Sequence, residues 1–245
     1  MKLKKKVKIY IATVIFCISV IGITYSITNI GIWAYSVKKN EIIITELKKE
    51  IIVNDAKTII NFDNLKSKNS DTVAYLKVPG TNIDYIVLKG KDNSYYLKHN
   101  FNKEYNIAGW IFADYHNSVD GTDKNLIIYG HNTKDNSMFG SLKNILTDNY
   151  YDYASKEITF ITEKGTYTYE VFSTYEVKPE EYYINTKFAS DTEYVDFLNT
   201  ISNRSRYAYD KNLDKDSKIL TLSSCKGSGE KRIVLHAVLT GLEEE

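Results

Sequence analysis

The hydrophobic pattern of the chain changes character along its length. From Ile9 to Val37 no residue carries a charge, and about 20 apolar residues in a helix suffice to cross a bilayer core, so this run predicts a transmembrane helix. Residues 38–68 place Ile44, Leu47 and Ile51, then Ile52, Ala56 and Ile59, at spacings of three and four that predict one or two further helices. Beyond Asn69 the apolar residues gather into short runs. "VAYLKVPGTNIDYIVLKG" holds two, broken at Pro79-Gly80. "GWIFADY", "NLIIYGH", the pair "ITFIT" and "YTYEVFSTYEV" around Lys164-Gly165, "KILTLSSC" and "RIVLHAVLT" complete the set. About eight short strands in roughly 170 residues predict a mainly β fold, a closed or nearly closed barrel.

Two inserts break the strand pattern. "SDTEYVDFLNTISNRS" opens with Ser190 and Glu193 in a capping-box arrangement and repeats apolar residues at Tyr194, Phe197, Leu198 and Ile201, which predicts a helix. "SMFGSLKNIL", with Met138, Leu142, Ile145 and Leu146, predicts a shorter one despite Gly140.

A chain of 245 residues, 43% hydrophobic and 26% charged, can bury one sizeable core. Its formal net charge of +1 offers no electrostatic case for a nucleic-acid partner. Lys2, Lys4, Lys5, Lys6 and Lys8 flank the apolar run on one side, and such clusters stay cytoplasmic. The run is too long for a cleaved signal peptide and ends in "GIWAYS", without a small-x-small site. Cys17 follows "VIF" instead of small residues, so it reads as a thiol within the membrane and not as a lipoprotein cysteine. The expected organisation is therefore a lysine cluster and signal-anchor over 1–37, a helical segment over 38–69 and an extracellular domain over 70–245.

That orientation changes the reading of Cys225, whose only companion, Cys17, lies in the expected bilayer segment. Exported domains pair their cysteines or omit them, while a lone thiol in a strand is also a common packing residue; on this fact alone both readings stand. A nucleophilic cysteine usually needs an imidazole, because a thiol of pKa about 8.5 is only a few per cent thiolate at neutral pH. His99 in "YYLKHNF" and His116 in "DYHNS" sit in polar, turn-like surroundings, and His236 in "RIVLHAVL" reads as a satisfied sheet histidine sharing a face with Arg232, Val234 and Val238. His131 differs, ending the apolar run "NLIIYGH" where a strand gives way to a loop.

"TLSSC" followed shortly by "RIV", together with "IIYGHN", resembles the sortases, membrane-anchored cysteine transpeptidases of Gram-positive bacteria. "VPGTNIDYIVLKGKDNSYYLKHNF", "GWIFADY" and "YGHNTKDNSMFGSL" are similar to class B members, and the resemblance spans about residues 70–240. It implies a closed eight-stranded sortase-type β-barrel with N-terminal helices and a helix inserted before the Cys-bearing strand. It also implies Cys225 as nucleophile, His131 as general acid/base and Arg232 as oxyanion stabiliser. The implied reaction is attack on the threonine carbonyl of an LPXTG-like or NPQTN-like sorting signal in a secreted protein, followed by release to an amine of a peptidoglycan precursor of the lipid II type. Ser223 and Ser224 would line the cleft beside the nucleophile, with strand packing as the alternative, and Tyr183 would belong to the substrate wall.

Two features depart from the family pattern. Lys226 stands where many members carry an acidic residue, and "KGSGEK" is a short connection to the arginine; Ser224 also replaces the usual threonine. These bear on the groove and peptide preference, not on the three roles. No metal or cofactor is expected, since His, Cys and acidic residues do not recur at ligand spacing. Two other readings are an L,D-transpeptidase, whose His-Gly before the cysteine is absent here, and a non-catalytic anchored surface module with a packed Cys225.

Overall fold

The structure, a computed structural model, is described for residues 5–54, 57–225 and 231–244; at positions 5, 6 and 225 the backbone alone is described. Helix α1 runs without a break from Lys5 to Leu47, across the expected boundary at residue 37. It is the one helix among the described residues that is long and apolar enough to cross a membrane. Its apolar side chains are exposed up to Tyr35, Cys17 among them, whereas Ser36, Asn40, Ile43 and Leu47 are buried against the rest of the protein.

The helical reading of residues 38–69 is corrected at residues 51–60. Ile51–Asn54 (β1) and Lys57–Ile60 (β2) pair antiparallel, Ile51 opposite Ile60, between a short 3₁₀ turn, Lys48–Glu50, and the helix Phe62–Lys68 (α2). The runs Ile51-Ile52-Val53 and Thr58-Ile59-Ile60 are β-branched. Such side chains lose rotamer freedom in a helix and pack well on a pleated surface. Asn61 caps α2, its side-chain oxygen accepting from the Asn64 amide at 3.1 Å.

The expected barrel is present. Thr72–Lys77 (β3), Asp84–Leu88 (β4), Phe112–Ala113 (β5), Asn125–His131 (β6), Glu157–Thr162 (β7), Gly165–Val177 (β8), Ile219–Cys225 (β9) and Arg232–Glu244 (β10) close in the order β10-β8-β7-β3-β4-β5-β6-β9. Most neighbours are antiparallel, but β4/β5 and β6/β9 are parallel. A parallel pair cannot be joined by a tight turn. The chain therefore makes two long excursions, residues 89–111 between β4 and β5, and residues 132–218 between β6 and β9. Alternation fills the interior: on β8, Tyr167, Tyr169 and Val171 are buried while Thr166, Thr168 and Glu170 are half-buried.

The second excursion includes Asp148–Tyr153 (α3) and Asp191–Asn203 (α4). Ser190 caps α4 by accepting from the Glu193 amide at 3.1 Å, and Glu193 accepts in return from the Ala189 amide at 2.6 Å. The predicted stripe of Tyr194, Phe197, Leu198 and Ile201 is fully buried, forming a second core with Phe172, Tyr175, Val234 and Val238 on the outside of the barrel. The helix expected in "SMFGSLKNIL" is a 3₁₀ helix, Gly140–Leu146. Gly140 stands so close to the Thr133 carbonyl that a Cβ there would lie 2.2 Å from it.

Candidate active site

The strand register assembles the site. β6 and β9 run parallel from Asn125↔Ile219 through Tyr129↔Ser223 to His131↔Cys225, so both strands end at the same rim. β10 returns antiparallel with Val234 opposite Ser223 and Leu235 opposite Leu222. Arg232, the first residue of β10, lies two positions before Val234, as Cys225, the last residue of β9, lies two positions after Ser223. Cys225, Arg232 and the sequence-distant His131 thus stand at the ends of three neighbouring strands.

His131 is half-buried and held from two sides. Its carbonyl accepts from the amides of Thr133 at 3.0 Å and Phe139 at 2.9 Å, closing the loop that follows. The Phe139 ring lies so near Gly130 that a Cβ would meet it at 2.7 Å, so a side chain before the histidine would displace the ring. On the imidazole, Nε2 lies 2.6 Å from the carbonyl oxygen of Leu97. A carbonyl can only accept, so Nε2 carries the hydrogen in this contact.

Arg232 is half-buried, with Nε buried and lacking a hydrogen-bond partner among the described residues. A buried guanidinium donor without an acceptor is uncommon. Glu230, Lys226 and the rest of residues 226–230 lie outside the described residues, as does the Cys225 side chain. Ser223, Ser224 and Tyr183 are all fully buried. The Tyr183 hydroxyl lies 2.9 Å from Ser223 Oγ, and Ser224 Oγ accepts from the Ile233 amide at 2.8 Å.

The other three histidines have partners of their own. His236 is fully buried, Nδ1 2.8 Å from Thr221 Oγ1 and Nε2 2.9 Å from the Tyr175 hydroxyl, as expected of a satisfied sheet histidine. Burial, with a smaller contribution from the Arg204 guanidinium, holds its pKa down to about 3. His99 stacks on Tyr95 with ring centroids 4.0 Å apart, and exposed His116 places Nδ1 2.9 Å from Asp114.

A groove of about 700 Å³ opens beside β5 and the segment before α4, lined by Asn93, Asp114, His116, Tyr182, Ile184 and Asn185. Buried Asp114 organises it, accepting from Asn93 Nδ2 at 2.7 Å and from the Tyr129 hydroxyl at 2.9 Å. Tyr129 lies two residues before His131, so this network ties the groove to the strand that carries the histidine. Sequence reading missed Asp114, Asn93 and the Leu97 carbonyl. A backbone carbonyl has no residue signature, and "ADYHN" resembles any polar turn. Among the described residues no group of three or more His, Cys, Asp or Glu side chains is placed to hold a metal ion.

The family model described as the Sortase domain matches residues 76–240. The chain belongs to the sortase family. Sortase B of Listeria monocytogenes is 38% identical over 205 residues, covering 80% of this chain and 82% of the relative. A crystal structure of sortase B from Bacillus anthracis superposes with a TM-score of 0.76 at 33% identity, covering 84% of this chain and 98% of that one. A Staphylococcus aureus sortase B–substrate complex gives 0.69 at 36% identity, covering 73% and 85%. This sortase is thus a sortase B-type cysteine transpeptidase of the kind that sorts surface proteins. The L,D-transpeptidase and non-catalytic readings are set aside by the same match.

Proposed function

We propose that this sortase cleaves a C-terminal sorting signal, LPXTG-like or NPQTN-like, after its threonine and transfers the acyl group to the amine of a lipid II-type precursor. Cys225 thiolate attacks the threonine carbonyl, the new S–C bond forms, and the electron pair of the C=O bond moves onto oxygen. Arg232 stabilises that oxyanion. On collapse the C–N bond breaks, and His131 Nδ1 gives its proton to the departing amine. The precursor amine then attacks the thioester, His131 takes up its proton, and the thiolate leaves. Two moderate barriers replace one high one.

The observation that carries this reading is the His131↔Cys225 register, with Arg232 heading the neighbouring strand. Among the described residues Arg232 Nε has no hydrogen-bond partner, which supports its assignment, since an oxyanion would supply the acceptor. Tyr183, Ser223 and Ser224 serve the peptide from beneath: Tyr183 precedes Ile184 on the groove lining and is braced on Ser223. Residues 1–37 anchor the enzyme with its N-terminus cytoplasmic, residues 38–69 connect, and residues 70–245 act outside the cell.

Incubating the enzyme with a panel of sorting-signal peptides and an oligoglycine or diamino-acid amine tests the proposal. Mass spectrometry should find a thioester adduct on Cys225 and an amide product when amine is added. Cleavage of none of the peptides, or cleavage without any adduct, would refute it.

A further inference from the structure

Helix α1 does more than stand beside the barrel. One turn of it, from Ser36 to Asn40, meets the first excursion, residues 89–111, through a cluster of buried, hydrogen-bonded amides. Asn40 Nδ2 donates to the Gly109 carbonyl at 3.0 Å. Asn106 Nδ2 donates to the Ser36 carbonyl and to Asn40 Oδ1, each at 2.9 Å, and Asn106 Oδ1 accepts from the Ala108 amide at 2.9 Å. Asn40 is 2% exposed and Asn106 1%. Apolar side chains would hold a helix on a barrel at least as well. Buried, satisfied amides add a fixed register, because any shift leaves donors and acceptors unpaired in a low-dielectric setting.

What they fix against the histidine is residues 89–111, the strap. Gly109 has φ +60°, and a Cβ there would lie 2.5 Å from the Tyr96 carbonyl oxygen, 2.9 Å from that of Leu97 and 3.0 Å from His131 Cδ2. Gly109 is therefore wedged between α1 on one side and the imidazole with its Leu97 acceptor on the other. The strap is also closed on itself, the Asn106 amide donating to Lys98 O at 2.8 Å and the Trp110 amide to Tyr96 O at 2.9 Å.

We propose that Asn40 and Asn106 are positioning residues for catalysis: through Gly109 they hold the Leu97 carbonyl against His131 Nε2 and so fix the orientation of the imidazole. The membrane-proximal helix is then part of the active-site framework. This rests on the reading of His131 as the general acid/base. Misplacing a catalytic group by about 1 Å can cost on the order of 10²-fold in rate, so the loss should fall on kcat.

The test uses the full chain in detergent or nanodiscs, with peptide-cleavage kinetics and ¹H–¹⁵N spectra of ¹⁵N-histidine-labelled protein, in which His131→Ala identifies the His131 ring signal. Asn40→Leu and Asn106→Ala should each lower kcat roughly tenfold to a hundredfold with KM within about twofold, and should weaken or remove the His131 ring N–H signal. Ile43→Ala, which removes buried packing from the same face of α1, should lower the melting temperature while keeping kcat and that signal. An amide variant that keeps both kcat and the ring signal overturns the inference, as does an equal loss of kcat in Ile43→Ala. If Asn40→Leu does not fold, Asn106→Ala decides. Normal turnover by His131→Ala would instead sink the catalytic reading, and a dead His131→Ala beside unaffected amide variants would sink this inference alone.

Discussion

His131 and Cys225 are register partners at the ends of two adjacent parallel strands, joined through a connection of more than eighty residues. The parallel pairing is what makes them neighbours: in an antiparallel pair the end of one strand would meet the start of the other. Replacing Cys225 by Ala should abolish peptide cleavage and leave the melting temperature within a few degrees of wild type. His131→Ala should be nearly as inactive, since neither thiolate formation nor leaving-group protonation is then assisted. Residual turnover near wild type in either folded variant would reject its assigned role.

Arg232 offers a sharper test of geometry over charge. A guanidinium presents fixed, planar donors, whereas an ammonium is a mobile point charge. Loss of a pre-organised oxyanion donor costs about 10² to 10³ in rate. Arg232→Lys should therefore fold, keep Cys225 open to alkylation and lose most turnover in steady-state assays. Activity within a few-fold of wild type would show that the oxyanion is held elsewhere.

His236 should make the fold acid-sensitive. Its pKa is about 3 in the folded state, against the ordinary 6.5 when unfolded, because burial excludes the charged form. Between those values the unfolded chain binds a proton that the native state refuses. Stability is thus fully present above about pH 6.5 and falls as pH drops toward 3, with a limiting slope of about 1.4 kcal/mol per pH unit from this group. Denaturant melts of His236→Gln between pH 4 and 7 should show a shallower dependence than wild type, with catalysis at neutral pH little altered. Parallel pH curves for the two proteins would contradict the assignment.

The length of α1 predicts where truncation begins to matter. Removing residues 1–30 leaves Ser36, Asn40 and the Ile43/Leu47 packing in place and should give cleavage of free peptide within about twofold of the full chain. Removing residues 1–41 deletes both Ser36 and Asn40 and should lower kcat more than it raises KM. Equal activity of the two truncations would mean that α1 serves as a tether alone.

Local chemistry, read from the chain, settled much of this protein. The uncharged run from Ile9 to Val37 fixes an apolar helix, alternation marks the barrel strands, and Ser190 with Glu193 starts α4, because each is a property of residues within a few positions of one another. Cys225, His131 and Arg232 were legible as strand-end residues of a familiar pattern. Residues 51–60 were not legible: apolar positions at spacings of three and four also fit a two-stranded ladder, and the β-branched side chains settle the matter only once Ile51 finds Ile60. Only tertiary structure could bring position 131 beside position 225, since register across a long parallel connection is set by the closure of the whole barrel. The same holds for the Leu97 carbonyl on His131 and for Asn40 on Gly109. A backbone acceptor carries no residue identity, and a buried asparagine in "KKNEIII" acquires its meaning from a partner 69 positions away.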